Sequence, residues 1–164
     1  MSTLTNSIRT LVVDDSLDEC ALLSFELKSV TSIAVIGFVH NGIEAIHYLR
    51  GGDDLRDRKA FPYPDLMLLD FSMPKCGGME VLKYLSQQSH RPHVILWSNT
   101  LDQINVPLAL ELGADMVRKK PLGRRELVEI MRELESDIFN ARSAVHCSEG
   151  TNAQAVCLSG NKHH

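Results

Sequence analysis

A chain of 164 residues, 44% of them hydrophobic, can bury one substantial core and is too short for two full domains. Its formal charge of -4 and pI near 5.9 speak against general polyanion binding, which takes a net basic face, so nucleic acid is not an expected partner. The opening MSTLTNSIRT holds no apolar signal core and no stretch approaches the roughly 18 apolar residues of a membrane span, so no membrane partner and a cytoplasmic location are expected.

Short apolar runs alternate with longer amphipathic ones, the pattern of a parallel sheet with crossover helices. The first run, Arg9 to Val13, ends in Asp14 and Asp15, after which Leu17, Cys20, Leu23, Leu27 and Val30 recur at helical spacing. Ser32 to Val39 is β-branched and aromatic and reads as a second strand. Asn41 to Arg50 is a helix with Ile43, Ile46 and Leu49 expected on its buried face, and Gly51 to Pro64 is an exposed loop.

Leu66 to Leu69 is continuously apolar, as a central strand buried on both faces requires, and Asp70 stands at its carboxyl end. A helix is expected over about Met79 to Gln88, a strand over His93 to Trp97, and a helix over about Asp102 to Leu112 closed by Gly113. A short strand over Asp115 to Arg118 follows. Pro121 then leads to a last helix with Leu127, Met131, Leu134 and Ile138 inward. Residues 1–140 thus make the domain. The remainder, 141–164, is small and polar and is expected to be a disordered or loosely docked tail.

Cys20, Cys76, Cys147 and Cys157 show no CxxC spacing, which fits a reducing compartment, and Cys20 falls on the core stripe of its helix. His146, Cys147, Cys157, His163 and His164 match no common zinc pattern.

In an open parallel sheet, ligands bind beyond the carboxyl ends of the strands. Asp14, Asp15, Asp70, Ser98 and Lys120 all fall there if the sheet is wound in the usual right-handed sense. Singly these residues are N-caps, turns and solvated charges; together, at successive strand ends, they are a site. Clustered carboxylates repel unless a cation joins them, and a hard divalent ion such as Mg²⁺ does so while leaving coordination positions for a phosphoryl oxygen. Lys120 and Ser98 can then bind further phosphoryl oxygens, and Asp70 can attack phosphorus to form an aspartyl phosphate.

LVVDDS, LLDFSMP, the serine of ILWSN, and GADMVRKKP resemble the corresponding segments of the receiver domain of two-component response regulators, over residues 8 to about 138. The resemblance implies an α/β, flavodoxin-like, doubly wound five-stranded parallel sheet of order 2-1-3-4-5 with five helices. It implies Asp70 as phosphoacceptor and metal ligand, Asp15 as a direct Mg²⁺ ligand with Asp14 binding through water, the Ser72 carbonyl as a further ligand, Lys120 on the phosphoryl group before a cis Pro121, and Ser98 swinging in after modification. Partners implied are a sensor histidine kinase or phosphotransfer protein and a downstream protein target, with a homodimer as an option. The long loop and PDLMLLDFSMP are similar to stand-alone receivers accompanying bacteriophytochrome-type kinases.

Two positions depart from the family pattern: Val117 stands where an aromatic residue is usual, and Asn99 where a small one is. The basic run Arg118 to Arg125 reads as a solvated helix start or as a docking face for an acidic partner. Trp97 either fills the core or lines the site. Two rivals remain: a haloacid-dehalogenase-type phosphatase, which needs an acid where Ser72 stands, and a degenerate receiver that binds its partner without phosphorylation.

Overall fold

The computed structural model describes residues 7–52 and 54–150, with side chains described through Ser143. Five parallel strands, β1 (Ile8–Val13), β2 (Ile33–Val39), β3 (Leu66–Asp70), β4 (His93–Ser98) and β5 (Met116–Lys119), form one sheet of order β2-β1-β3-β4-β5. That order is the expected one. The chain reverses direction across the sheet between β1 and β3, so the crevice at their carboxyl ends is where a ligand site belongs.

Helices α1 (Leu17–Lys28) and α5 (Arg124–Gly150) cover one face, and α2 (Gly42–Arg50), α3 (Gly78–Leu85) and α4 (Val106–Glu111) the other. Strand alternation divides the core between them. Ile8, Val12, Leu68, Ile95 and Trp97 meet Leu23, Leu27, Leu127 and Met131, while Leu11, Val13, Leu69 and Leu96 meet Leu49, Val81, Leu82 and Ala109. All of β3 is buried, the reason its sequence is apolar without alternation.

Local chemistry sets the helix starts. Ser16 caps α1 through the Glu19 N–H, and Asn41 caps α2 through the Glu44 N–H at 2.9 Å. Gly78 opens α3 where a Cβ would come within 2.6 Å of the Asp70 carbonyl, so only glycine lets that helix start directly against the end of β3.

The structure departs from expectation at four places. On α2 the buried positions are Ala45, Tyr48 and Leu49, Ile43 being 57% exposed; the Tyr48 hydroxyl donates to the Pro62 carbonyl and so ties down the long loop. Leu17 of α1 also lies outside the core, at 71% exposure. The helix expected over Asp102 to Leu112 is split into a 3₁₀ turn, Leu101–Gln103, and α4, because Asn105 caps the Leu108 N–H and Pro107 fits only a first turn.

Finally, α5 runs past residue 140, where composition alone starts a tail, to Gly150. Arg142 donates from Nε to Asp65 at 2.9 Å and from its terminal nitrogen to the Ser7 carbonyl. Arg9 grips the same carboxylate at 2.9 and 2.7 Å. Residues 151–164, with Cys157, His163 and His164, lie outside the described residues, as do the side chains of His146 and Cys147. Among the described residues no helix is long and apolar enough to cross a membrane.

Burial would raise the Asp65 pKa, but hydrogen bonds from Arg9 and Arg142 outweigh it and hold the carboxyl at about 2. A folded-state value below the unfolded one stabilises the fold above roughly pH 4, and that contribution disappears as pH falls through the folded value. Asp65→Asn is therefore expected to lose about 2 kcal/mol at pH 7 in urea unfolding, with the difference from the wild type shrinking between about pH 4 and 2. A pH-independent difference contradicts this account.

Candidate functional site

The carboxyl ends of β1 and β3 present Asp14 and Asp70, with Asp15 beside them. One carboxylate oxygen from each of the three lies within 4.8 Å of the others. Asp14 and Asp70 are buried and Asp15 is exposed, so the cluster opens to solvent on one side. All donors are hard oxygens, suited to a Mg²⁺-type ion that keeps part of its water shell.

Lys120, just past β5, reaches back into this cluster. Its Nζ lies 2.7 Å from Asp14 Oδ2 and 3.0 Å from Asp70 Oδ1, with only 7% of the residue exposed. The Lys120–Pro121 peptide is cis, as the resemblance implies. The Lys120 backbone N–H donates to the Ser98 carbonyl at 2.8 Å, which binds the start of the β5–α5 loop to the end of β4.

Burial pushes the Asp70 pKa up to about 6, with Lys120 pulling the other way and Asp14 adding to the rise. Asp14 is likewise raised by burial, against the pull of Lys120. Burial works against the charged ammonium of Lys120, yet hydrogen bonds with Asp14, Glu19 and Asp70 prevail and raise its pKa. Four carboxyl groups, those of Asp14, Asp15, Glu19 and Asp70, thus share one buried cation. Added positive charge is favoured there.

Ser98 is buried beside this group, its hydroxyl accepting from the Thr100 N–H at 3.3 Å rather than engaging Asp70 or Lys120. Ser72 is exposed and its backbone N–H donates to the Asp70 carboxylate. Trp97 both fills the core and lines the site: its ring packs between sheet and helices, and Lys120 Nζ sits 4.5 Å from the ring centroid. Its Nε1 is the buried side-chain nitrogen without a hydrogen-bond partner among the described residues. Val117 packs on the opposite face of the sheet from Trp97, so the indole does not take the place of the aromatic residue missing at Val117. The basic run divides: Lys120 turns inward while Lys119, Arg124 and Arg125 are exposed.

Glu19 is the site residue that sequence reasoning missed. Its carboxylate contacts Lys120 Nζ and accepts from Asn99 Nδ2 at 3.1 Å. Burial would raise its pKa, but these hydrogen bonds outweigh it and the pKa is lowered. The SLDE stretch has the form of a capping box, in which the glutamate would return to the Ser16 N–H. That N–H instead donates to Asp14 Oδ1 at 2.9 Å, leaving Glu19 free to turn to Lys120.

The larger cavity, about 610 Å³, lies at the other end of the sheet around Arg9, Asp65 and Arg142 and holds none of these residues. A smaller one, about 230 Å³, lies beside Lys120 and is lined by Glu19, Leu22, Trp97, Asn99 and Leu122 among others.

Residues 10–132 match the family model of the response regulator receiver domain. The transcriptional regulatory protein CpxR of Escherichia coli K12 is 36% identical over 126 residues, covering 77% of this chain and 48% of that protein. Among solved structures, the phosphorylated cyanobacterial phytochrome response regulator RcpA is 25% identical with a TM-score of 0.63, covering 79% of this chain and 91% of that one. The Mn²⁺-bound form of response regulator Rcp1 is 25% identical with a TM-score of 0.62, covering 79% and 92%. The chain spans less than half the length of the first curated relatives it matches, 44%, 39% and 48%. With the strand order, the acidic pocket and the buried lysine in agreement with that match, the chain belongs to the response regulator receiver domain family.

Proposed function

We propose that this chain accepts a phosphoryl group on Asp70 from the phosphohistidine of a sensor histidine kinase or phosphotransfer protein, and that a protein partner reads the result. The observation that carries the reading is the buried ammonium of Lys120 shared between Asp14 and Asp70, with Asp15 at the open side. A structural ion pair needs one carboxylate. Three converging carboxylates around one lysine make sense where a metal ion and a phosphoryl group complete the charge balance.

In the transfer, a carboxylate oxygen of Asp70 attacks phosphorus as the phosphorus–nitrogen bond breaks, and its electron pair stays on the departing imidazole. Asp14, Asp15, Asp70 and the Ser72 carbonyl would hold Mg²⁺, which supplies positive charge to the phosphoryl oxygens when bound. Lys120 binds one of those oxygens as a point charge, and the Ser98 hydroxyl turns from the Thr100 N–H to donate to another. That exchange of partners couples the modified aspartate to the end of β4. The protein assists its own phosphorylation and dephosphorylation and turns over no other substrate.

The similarity to RcpA supports a phytochrome-type sensor kinase as the donor class. Exposed Lys119, Arg124 and Arg125 beside the pocket suit an acidic protein partner.

Incubation with acetyl phosphate and Mg²⁺ is expected to add one phosphoryl group by intact-protein mass, labile to hydroxylamine and absent without metal or in Asp70→Asn. No increment with either acetyl phosphate or the donor kinase, together with equal partner affinity for the wild type and Asp70→Asn, would establish a phosphorylation-independent binding module instead. Lys120→Gln is expected to slow the acceptor reaction by roughly 100-fold in the same mass assay. An unchanged rate would remove Lys120 from the phosphoryl site.

A further inference from the structure

We propose that Glu19, steadied by Asn99, is a positioning residue that occupies the place on Lys120 a phosphoryl oxygen must take, and so sets how readily the pocket accepts a phosphoryl group. The inference rests on the phosphoacceptor reading above. A lysine ammonium has three N–H donors. Lys120 Nζ already has three carboxylate partners, Asp14, Asp70 and Glu19. A phosphoryl oxygen gains a full hydrogen bond there only when one of them leaves.

The three are not equivalent. Asp14 and Asp70 are buried at strand ends and belong to the carboxylate cluster that suits a metal ion. Glu19 stands on α1 outside that cluster, with its side chain 32% exposed, and it borders the cavity of about 230 Å³ beside Lys120. Glu19 borders open space, whereas Asp14 is enclosed and Asp70 stays as the group that carries the phosphoryl. Asn99 opposes its departure by holding its second oxygen at 3.1 Å.

Charge acts in the same direction as geometry. Glu19 adds a negative charge to a pocket already rich in carboxylates, and an incoming anionic phosphoryl group meets it as both competitor and repeller. Asn99 directly follows Ser98 in the chain, so the residue that clamps Glu19 and the one expected to turn toward the phosphoryl group share one strand end. The clamp and the switch are coupled through one peptide unit.

The test uses the full chain, with beryllofluoride as the phosphoryl mimic titrated at saturating Mg²⁺ and the fluorescence of Trp97 as the signal. Glu19→Gln is expected to tighten beryllofluoride binding roughly five- to tenfold, and Asn99→Ala about two- to threefold. The double variant should bind no more tightly than Glu19→Gln alone, because both act through one contact. Mg²⁺ titrated alone should bind Glu19→Gln no more tightly than the wild type, since removing a negative charge cannot favour a cation. That readout separates competition for Lys120 from a general change in the pocket.

Unchanged or weaker beryllofluoride binding by Glu19→Gln, in a wild-type background that binds the mimic, overturns the role given to Glu19 and leaves the phosphoacceptor reading intact. Effects of the two single substitutions that multiply in the double variant also overturn it. A wild type that neither binds the mimic nor takes a phosphoryl group from acetyl phosphate or the donor kinase removes both readings.

Discussion

The buried ammonium of Lys120 is the constraint around which the rest of the site is arranged. A lysine that is almost fully enclosed is costly unless its charge is answered, and three carboxylates from β1, α1 and β3 answer it. The contacts tie the loop after β5 to the opposite half of the sheet across β4 and β3. They also leave more carboxylates in the pocket than one ammonium balances, which suits a cation, while burial raises the pKa of Asp70. Structure and chemistry draw on one ion cluster.

That double use explains why the surrounding segments are so closely specified. Gly78 admits α3 directly beneath the carbonyl of Asp70. The Gly42 N–H donates to the Cys76 carbonyl at 3.0 Å, pinning the loop beyond Asp70 to the start of α2. The Phe71 N–H donates to the Trp97 carbonyl at 2.9 Å, carrying the pairing of β3 and β4 one residue past the carboxylate. The mouth of the pocket is thus framed by backbone hydrogen bonds. The side chains of the pocket are set in a rigid frame.

Much of this was legible in the sequence because it depends on local pattern. The uninterrupted LMLL could only be a doubly covered strand, and an acid at its end had to face the crevice. What escaped depends on contacts distant in the chain. Glu19 carries every mark of a capping-box residue, and only the approach of Lys120, 101 residues on, shows where its carboxylate turns. Hydrophobicity alone favoured Ile43 over Tyr48 for the buried face of α2, whereas the tyrosine is held by a hydroxyl contact to the loop. The continuation of α5 follows from Arg142 meeting Asp65, 77 residues away, and no reading of its small polar sequence contains that information.

The contact between Arg142 and Asp65 also separates two properties of the domain. At the carboxyl edge of the sheet, the direction of α5 is set through Lys120 and the loop that follows it. At the amino edge it is set by a carboxylate shared between Arg9 and Arg142, an attachment of charge rather than of apolar surface. Acid would loosen that second anchor while the apolar stripe of Leu127, Met131 and Leu134 stayed seated. The heading with which the backbone leaves the domain is therefore governed by electrostatics, and the seating of α5 against the sheet by hydrophobic packing.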